Sequence, residues 1–223
     1  MVSFTAFILA FAGVAISLAV PLEGELVNRS PNFSLELESN LTRRQSYSTD
    51  YTTGGGSVNY SPGSAGSYSV SFSSASDFVV GKGWNPGNAS PIEFSGSFSA
   101  TSGTVSLSVY GWTTSPLVEY YVVEDYNSAP VGTLKGTVTS DGGTYNIYAT
   151  TRTNEPSIDG TATFPQIKSV RTSPRSSGTV TTANHFAAWK NAGLTLGTYN
   201  LQVLATEGYN SASGSVSMTL SYA

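Results

Sequence analysis

Apolar residues alternate with polar residues along most of the chain after about residue 45, and this period of two restricts the fold more than any other feature. Three of the runs are Tyr68-Val70-Phe72, Val105-Leu107-Val109 and Tyr145-Ile147-Ala149, counting every second residue. Successive side chains of a strand point to opposite faces, so such runs indicate strands that bury one face. Turn sequences such as those at 54–56 and 140–143 separate the runs. The pattern therefore predicts a chain built mainly from strands.

One segment does not alternate. Residues 182–193 begin with Thr, contain several alanines and end with Gly193, which is typical of one short helix of about three turns. Many strands with a single helix indicate an all-β fold. We expect a β-jelly roll in which two twisted antiparallel sheets form a cleft.

Composition excludes several classes of protein. The 223 residues include no cysteine, so neither a disulfide scaffold nor a cysteine-based metal or redox site is available. Ten basic and 14 acidic residues give a net charge of −4, which argues against nucleic-acid binding. His185 is the one histidine, so we expect no transition-metal site and no cofactor, and we assign His185 a structural role on the helix.

The N-terminal residues differ from the rest of the chain. Residues 1–19 form a short apolar run followed by small residues, which is typical of a secretory signal peptide. The alternative, a membrane anchor, needs a run of about 20 apolar residues with flanking charges. Residues 20–44 end in the dibasic pair Arg43-Arg44 and are interpreted as a propeptide, which leaves 45–223 as the mature domain. We therefore expect a secreted, extracellular protein without a membrane segment in its mature form.

Aromatic residues occupy a strand face that is usually plainly polar. Tyr110 and Trp112 lie on the face opposite Val105, Leu107 and Val109. Aromatic rings stack on the C–H faces of sugars, while the sugar hydroxyls take hydrogen bonds, so this face suits a polysaccharide cleft. The alternative is that each ring covers surface or packs against a loop.

Two carboxylates stand apart from the other acids. Glu119 lies inside the apolar, aromatic run 116–123, and Glu207 ends the run 203–207. Burying a carboxylate costs free energy unless partners stabilise it, so acids in such strands are candidates for acid–base chemistry. Glu124 should face the other side of the strand that holds Glu119, which favours a structural role. Two acids on either side of one bond are what glycoside hydrolysis requires.

An ordered set of six segments surrounds and includes these acids. Residues 78–84 read Phe-Val-Val-Gly-Lys-Gly-Trp, 109–112 read Val-Tyr-Gly-Trp and 116–121 read Pro-Leu-Val-Glu-Tyr-Tyr. Residues 156–164 read Pro-Ser-Ile-Asp-Gly-Thr-Ala-Thr-Phe, 183–186 read Ala-Asn-His-Phe and 206–209 read Thr-Glu-Gly-Tyr. Together they resemble the glycoside hydrolase family 11 endo-1,4-β-xylanases, over nearly all of 47–222. The resemblance implies a jelly roll shaped like a partly closed right hand. It also implies hydrolysis of internal β-1,4 bonds of xylan with retention of configuration.

The resemblance implies a role for each matching position. Glu119 corresponds to the nucleophile and Glu207 to the acid/base, whose pKa must change as charge on Glu119 forms and disappears. Asp77 corresponds to a position beside the acid/base where Asp accompanies an acidic working range; alternatively, Asp77 caps a turn. Residues 156–163 match a mobile thumb loop. With Trp112 from the aromatic face, the expected substrate-binding residues are Tyr51, Tyr110, Trp112, Tyr121, Arg152, Pro156, Gln166 and Tyr209.

Several positions depart from the family pattern. Tyr51 and Phe72 each stand where the family commonly has Trp, Leu201 replaces an aromatic residue, and Ile167-Lys168 replaces an aromatic pair. These changes spare both acids but predict a loss of stacking area. An alternative function is therefore a weakly catalytic xylan-binding or host-recognised cell-wall protein on the same fold. We expect a monomer that acts on xylan or xylo-oligosaccharides, with plant xylanase inhibitor proteins as candidate partners.

Overall fold

The computed structural model describes residues 48–223, with side chains from Thr53 onward. The predicted signal peptide at 1–19, the propeptide at 20–44 and its dibasic end lie outside the described residues. Within the described part, no helix has both the length and the apolar character needed to span a membrane.

The described chain is almost entirely strands, as the alternation predicts. One helix, α1, spans Thr182–Asn191. The strands are β1 (Ser48–Thr53), β2 (Ser57–Pro62), β3 (Ser67–Trp84), β4 (Ile92–Thr114), β5 (Val118–Tyr126), β6 (Thr133–Ser140), β7 (Gly143–Ser157), β8 (Gly160–Arg171), β9 (Ser177–Val180) and β10 (Thr198–Tyr222).

All the strands belong to one hydrogen-bonded network among residues 48–223. Its order is β1-β3-β10-β4-β5-β8-β7-β6, with β2 attached to β3 and β9 attached to β4. Every pair is antiparallel except β5 with β8, which is parallel. The all-β prediction is confirmed, but the two expected antiparallel sheets are joined into a single twisted sheet.

Three long strands explain why one sheet serves as two layers. Strands β3, β4 and β10 contain 18, 23 and 25 residues. The pairing of β10 with both neighbours shifts register between Tyr209 and Gly214, and such irregularities bend strands. The hydroxyl of Tyr68, near the start of β3, lies 3.0 Å from Oγ1 of Thr206, which precedes the bend in β10. The two halves of the sheet therefore face each other.

The main hydrophobic core fills the space between these two halves. It includes the predicted alternating residues Tyr68, Val70, Phe72, Val105, Leu107, Val109, Tyr145 and Ile147. A second cluster lies on the opposite face of the central strands. Its members are Tyr110, Trp112, Tyr121, Val123, Phe164, Val170, Val203 and Ala205. The sheet thus presents one apolar face to the core and one aromatic face to the other side.

The helix agrees with the sequence prediction except at its C-terminal end, which falls at Asn191 instead of 193. Gly193 follows with a φ of +77°, a conformation that favours glycine and ends the helix. Trp189 is fully buried, and its indole N–H donates to Oγ of Ser169 at 2.8 Å. This contact fixes the helix against β8.

A buried polar network lies behind β5, on the side away from Glu119. Glu124 is 0 % exposed, and its Oε1 accepts a hydrogen bond from the Tyr145 hydroxyl at 2.7 Å. Its Oε2 accepts one from Nε of Arg175 at 2.5 Å. Burial raises the pKa of Glu124, and the bond from Arg175 opposes that rise. The opposite orientations of Glu119 and Glu124 are those that strand alternation predicts.

His185 packs its ring edge against Tyr145, with ring centroids 4.6 Å apart. The side chain is 0 % exposed, and neither ring nitrogen has a hydrogen-bond partner among the described residues. Burial lowers the pKa of His185 from 6.5 to about 4. This buried position agrees with the structural role predicted for His185. Because the ring is buried and its nitrogens have no hydrogen-bond partner among the described residues, protonating it in the folded protein costs free energy.

We predict that His185→Phe reduces the loss of stability in acid. Between pH 6.5 and about pH 4, His185 is mainly protonated in the unfolded chain and mainly neutral in the folded protein. The wild-type free energy of unfolding should therefore fall by about 3 kcal/mol more than that of the variant over this range. Denaturant unfolding near neutral pH and near pH 4 measures the difference.

Comparing the two pH values also removes the packing cost of the substitution, since that cost is the same at both. An identical fall for wild type and His185→Phe would contradict the prediction.

Candidate active site

Glu119 and Glu207 lie on strands separated only by β4. Glu119 is on β5 opposite Trp112 of β4, and Glu207 is on β10 opposite Ser106 of β4. Alternation along β5 and β10 directs both acids to the face that carries the aromatic cluster. Gly208 follows Glu207 because a Cβ at this position would collide with the ring of Phe78 in the core.

This face bears a cleft with two adjoining parts. The first, here the Glu119 half, has a volume of about 500 Å³ and is lined by Glu119 with Tyr110, Trp112, Pro156 and Leu201. The second, here the Lys168 half, has a volume of about 420 Å³ and is lined by Lys168 with Thr104, Pro130 and Tyr209. The residues common to both halves are Asp77, Tyr121, Arg152, Gln166 and Glu207. Glu207 therefore stands where the two halves meet.

Glu119 is buried, and two hydrogen bonds fix its carboxylate. The Tyr121 hydroxyl donates to Oε1 at 2.8 Å, and Nε2 of Gln166 donates to Oε2 at 2.6 Å. The register of β5 and β8 places Gln166 directly beside Glu119. Burial first, and then the charges of Glu207 and Glu119, raise the pKa of Tyr121 well above its ordinary value, so its hydroxyl keeps the proton that it donates.

Glu207 has a different environment. Its carboxyl group makes no hydrogen bond with the described side chains, and its surroundings raise its pKa from 4.5 to about 7. Burial is the largest cause, and the negative charges of Glu119 and Asp77 add to it. The positive charges of Lys168 and Arg152 act in the opposite direction. This acid can therefore hold a proton in mildly acidic solution.

The aromatic residues predicted for the cleft line it as a packed wall. Trp112 donates its indole N–H to the Tyr110 hydroxyl at 2.5 Å and packs edge-on against Phe164, with centroids 4.9 Å apart. Tyr110 and Tyr121 pack with centroids 4.9 Å apart. The rings therefore border the cleft and pack against rings on the neighbouring strands β5 and β8, not against a loop.

The hairpin of β7 and β8 extends over the Glu119 half. Pro156 pairs with Thr161 at its tip, and residues 156–158 line the cleft. Arg152 forms an ion pair with Glu155 at 3.4 Å. No motif in the sequence singles out Glu155, but the structure places it in the cleft.

Asp77 lies inside β3, opposite Tyr209 of β10, and its side chain is exposed. The interpretation of Asp77 as a turn cap is therefore wrong. Val79, two residues later, is opposite Glu207, so Asp77 and Glu207 share a face on neighbouring strands. Among the described residues, no hydrogen bond joins the two carboxyl groups, and they interact through their charges.

The positions that depart from the family pattern separate into two groups. Phe72 and Ile167 belong to the core, so the expected loss of stacking area at these two positions is wrong. Leu201 and Lys168 line the cleft. Tyr51 pairs with Val80 through the backbone, and its side chain lies outside the described part.

We predict that Glu119→Gln lowers the pKa of Glu207 below its wild-type value of about 7. Removing the nearby negative charge makes ionisation of Glu207 less costly. Titration of ¹³C-labelled glutamate carboxyl groups by NMR measures the shift, with Glu207→Gln identifying the resonance. Glu93→Gln, on the exposed surface of β4, is the matched control and should leave the titration unchanged. An unchanged or raised pKa in Glu119→Gln would contradict the coupling of the two acids.

Comparisons with known proteins agree with this geometry. Residues 43–219 match the family described as Glycosyl hydrolases family 11. The chain is 53% identical to "Endo-1,4-beta-xylanase B" of Phanerodontia chrysosporium over 99% of this chain and 76% of that protein. It is also 53% identical to "Ethylene-inducing xylanase 2" of Botryotinia fuckeliana, over 99% of this chain and 100% of that protein.

A solved structure from work on "two major endo-1,4-beta-xylanases" of "Trichodrema reesei" has the same fold. It superposes with a TM-score of 0.75 at 56% identity, over 78% of this chain and 97% of that chain. The family match covers most of the chain, and both candidate acids lie inside it. The chain therefore belongs to the glycosyl hydrolases of family 11.

Proposed function

We propose that the protein is a secreted endo-1,4-β-xylanase that hydrolyses internal bonds of xylan by a retaining double displacement. The observation that carries the proposal is the contrast between two acids in one cleft. Glu119 is held by two hydrogen bonds, whereas Glu207 makes none with the described side chains and has a pKa raised to about 7. Retaining glycosidases need one carboxylate as a nucleophile and one protonated acid at the same bond.

In the first step, Glu119 attacks the anomeric carbon while Glu207 protonates the leaving oxygen. The bonds from Tyr121 and Gln166 hold the carboxylate oxygens of Glu119 in fixed positions for attack. The step forms a glycosyl-enzyme ester and releases the leaving part of the chain. It also removes the negative charge from Glu119.

In the second step, Glu207 acts as a base. The charge of Glu119 is one of the causes that raise the pKa of Glu207, so its neutralisation in the ester lowers that pKa. Glu207 then accepts a proton from water, whose oxygen bonds to the anomeric carbon and displaces the Glu119 carboxylate, which completes the second displacement. Glu207 is therefore the acid in the first step and the base in the second, and the change in charge of Glu119 favours each role in turn.

The substrate assignment is supported by relatives named "Endo-1,4-beta-xylanase B" and "Endo-1,4-beta-xylanase 1". A cleft bordered by Tyr110, Trp112 and Tyr209 suits the faces of successive sugar rings. Secretion is proposed from the apolar run at 1–19 and the dibasic pair that ends the propeptide.

A second candidate function is recognition by a plant host, favoured by the name of one relative, "Ethylene-inducing xylanase 2". It would not need the two acids. The hydrogen bonds that hold Glu119 favour the enzyme as the primary function.

We predict that the wild-type protein releases reducing sugar from xylan and that Glu119→Gln abolishes this release, with a loss of at least about 10³-fold. Gln keeps the volume of Glu but cannot form the ester. Products observed by NMR immediately after cleavage should be β-anomers, and the two carboxyl groups should lie about 5–5.5 Å apart.

Thermal unfolding of Glu119→Gln should show that the variant is folded, and Glu93→Gln should retain full activity. First-formed α-anomers would contradict retention. Wild-type protein with no more activity than Glu119→Gln would contradict the enzymatic proposal and favour the host-recognition alternative.

We further propose that Asp77 sets an acidic working range by sharing a proton with Glu207. If Asp77 must be protonated to donate to Glu207, its replacement by Asn supplies the donor at any pH. Asp77→Asn should then move the acidic limb and the optimum of the pH–rate profile upward. The charge interaction alone has the opposite sign, because removing a negative charge lowers the pKa of Glu207 and moves the alkaline limb downward. A downward shift or an unchanged profile would therefore contradict proton sharing.

A further inference from the structure

Lys168 places a positive charge inside the cleft. The parallel register sets Lys168 beside Tyr121 of β5, and the antiparallel register sets it opposite Tyr148 of β7. Its Nζ lies 5.2 Å from the centroid of the Tyr121 ring, within the range of a cation–π contact. The side chain is half-buried and lines the Lys168 half of the cleft.

The ammonium of Lys168 has no hydrogen-bonded or ion-paired partner among the described side chains, from Thr53 to the C-terminus. Two other cations of this part of the chain are paired: Arg152 with Glu155, and Arg175 with Glu124. Lys168 interacts with Glu207 and Glu119 only at longer range, through their charges. Because Lys168 lines this half of the cleft, a ligand that occupies the space can approach its three N–H donors.

The position of Lys168 relative to the acids decides which part of a bound chain it meets. Glu119 lines only the Glu119 half of the cleft, so that half holds the sugar under attack. Glu207 also borders the Lys168 half, which lacks Glu119. Under the proposed mechanism Glu207 protonates the leaving oxygen, so the Lys168 half receives the leaving part of the chain.

We propose that Lys168 is a specificity residue that binds the carboxylate of a uronic-acid substituent on the leaving part of an acidic xylan. This inference rests on the proposed function. Neutral xylose units offer hydroxyl groups only, whereas a uronate offers an anion to a half-buried ammonium, and charge-assisted hydrogen bonds are stronger than neutral ones. The adjacent Tyr209 and Tyr121 supply ring faces for the sugars that carry the substituent.

Other charged groups face the same space. Asp77 on β3, Glu207 on β10 and Arg152 on β7 line the Lys168 half, and Glu119 on β5 acts on Lys168 through its charge. An alternative is therefore that Lys168 only changes the protonation of Glu207 through its charge and binds no substituent. That role would affect all substrates equally, whereas binding of a uronate affects only acidic ones.

The test compares two matched substrates, a glucuronoxylan and the same polysaccharide after chemical reduction of its uronic-acid carboxyl groups to neutral alcohols. The variants are Lys168→Met, which removes the charge, and Lys168→Arg, which keeps it. Lys190→Met, at the exposed end of α1, is the matched control. The measured quantity is the ratio of kcat/KM for the acidic substrate to kcat/KM for the neutral one, with complete pH profiles.

Wild type should prefer the acidic substrate by about three- to tenfold, a range set by one partly exposed charge-assisted contact. Lys168→Met should abolish the preference, Lys168→Arg and Lys190→Met should keep it, and added salt should weaken it. Analysis of the products should place the uronate on the fragment released from the leaving side.

Equal rates of wild type on both substrates would overturn the proposal. So would an equal loss on both substrates in Lys168→Met with a displaced pH profile, which would assign the residue to Glu207 alone. If wild type hydrolyses neither substrate, that result contradicts the proposed function, and the role of Lys168 is decided by a binding measurement. Calorimetric binding of a uronate-substituted xylo-oligosaccharide to wild type and Lys168→Met then decides the inference, and equal affinities would overturn it.

Discussion

Each central strand of this protein must serve two environments at once, because neighbouring side chains point to opposite faces of the sheet. Along β4, Val105, Leu107 and Val109 seal the core while Tyr110 and Trp112 border the cleft. Along β5, Glu119 faces the cleft and Glu124 is buried on the other side. A shift of one residue in register would exchange these faces, bringing carboxylates into the core and apolar residues into the cleft. The chemistry of the site therefore depends on the packing of the core beneath it.

The two acids of the cleft differ in chemistry because they have different neighbours. Glu119 accepts hydrogen bonds on both oxygens from neighbours on its own strand and on β8. Glu207 is bordered by charges instead, two negative and two positive, and burial among them raises its pKa to about 7. Because the charge of Glu119 contributes to the pKa of Glu207, a change in the charge of Glu119 changes the pKa of Glu207. Lys168 joins this set of charges from β8, where its side chain lines the cleft.

Local patterns in the sequence predicted the parts of the structure that depend on neighbouring residues. Strand alternation identified the buried residues of β3 and β4, and the Thr and Gly signals located α1 to within two residues. The same alternation separated Glu119 from Glu124. Contacts between distant segments were not predictable in this way. The pair Arg175–Glu124 and the burial of Ile167 in the core depend on how strands β5 and β8 and the segment after β8 meet in space.

The sequence by itself determined the all-β class, the two candidate acids and the segments that identify the family. Periodicity and motifs are properties of consecutive residues, so they can be read without coordinates. Only the tertiary structure decided that one bent sheet forms both layers, that Asp77 lies within a strand and that Lys168 enters the cleft. It also decided the environments that distinguish Glu119 from Glu207. Burial and the placement of charges from four other strands set a pKa, and those neighbours are far apart along the chain.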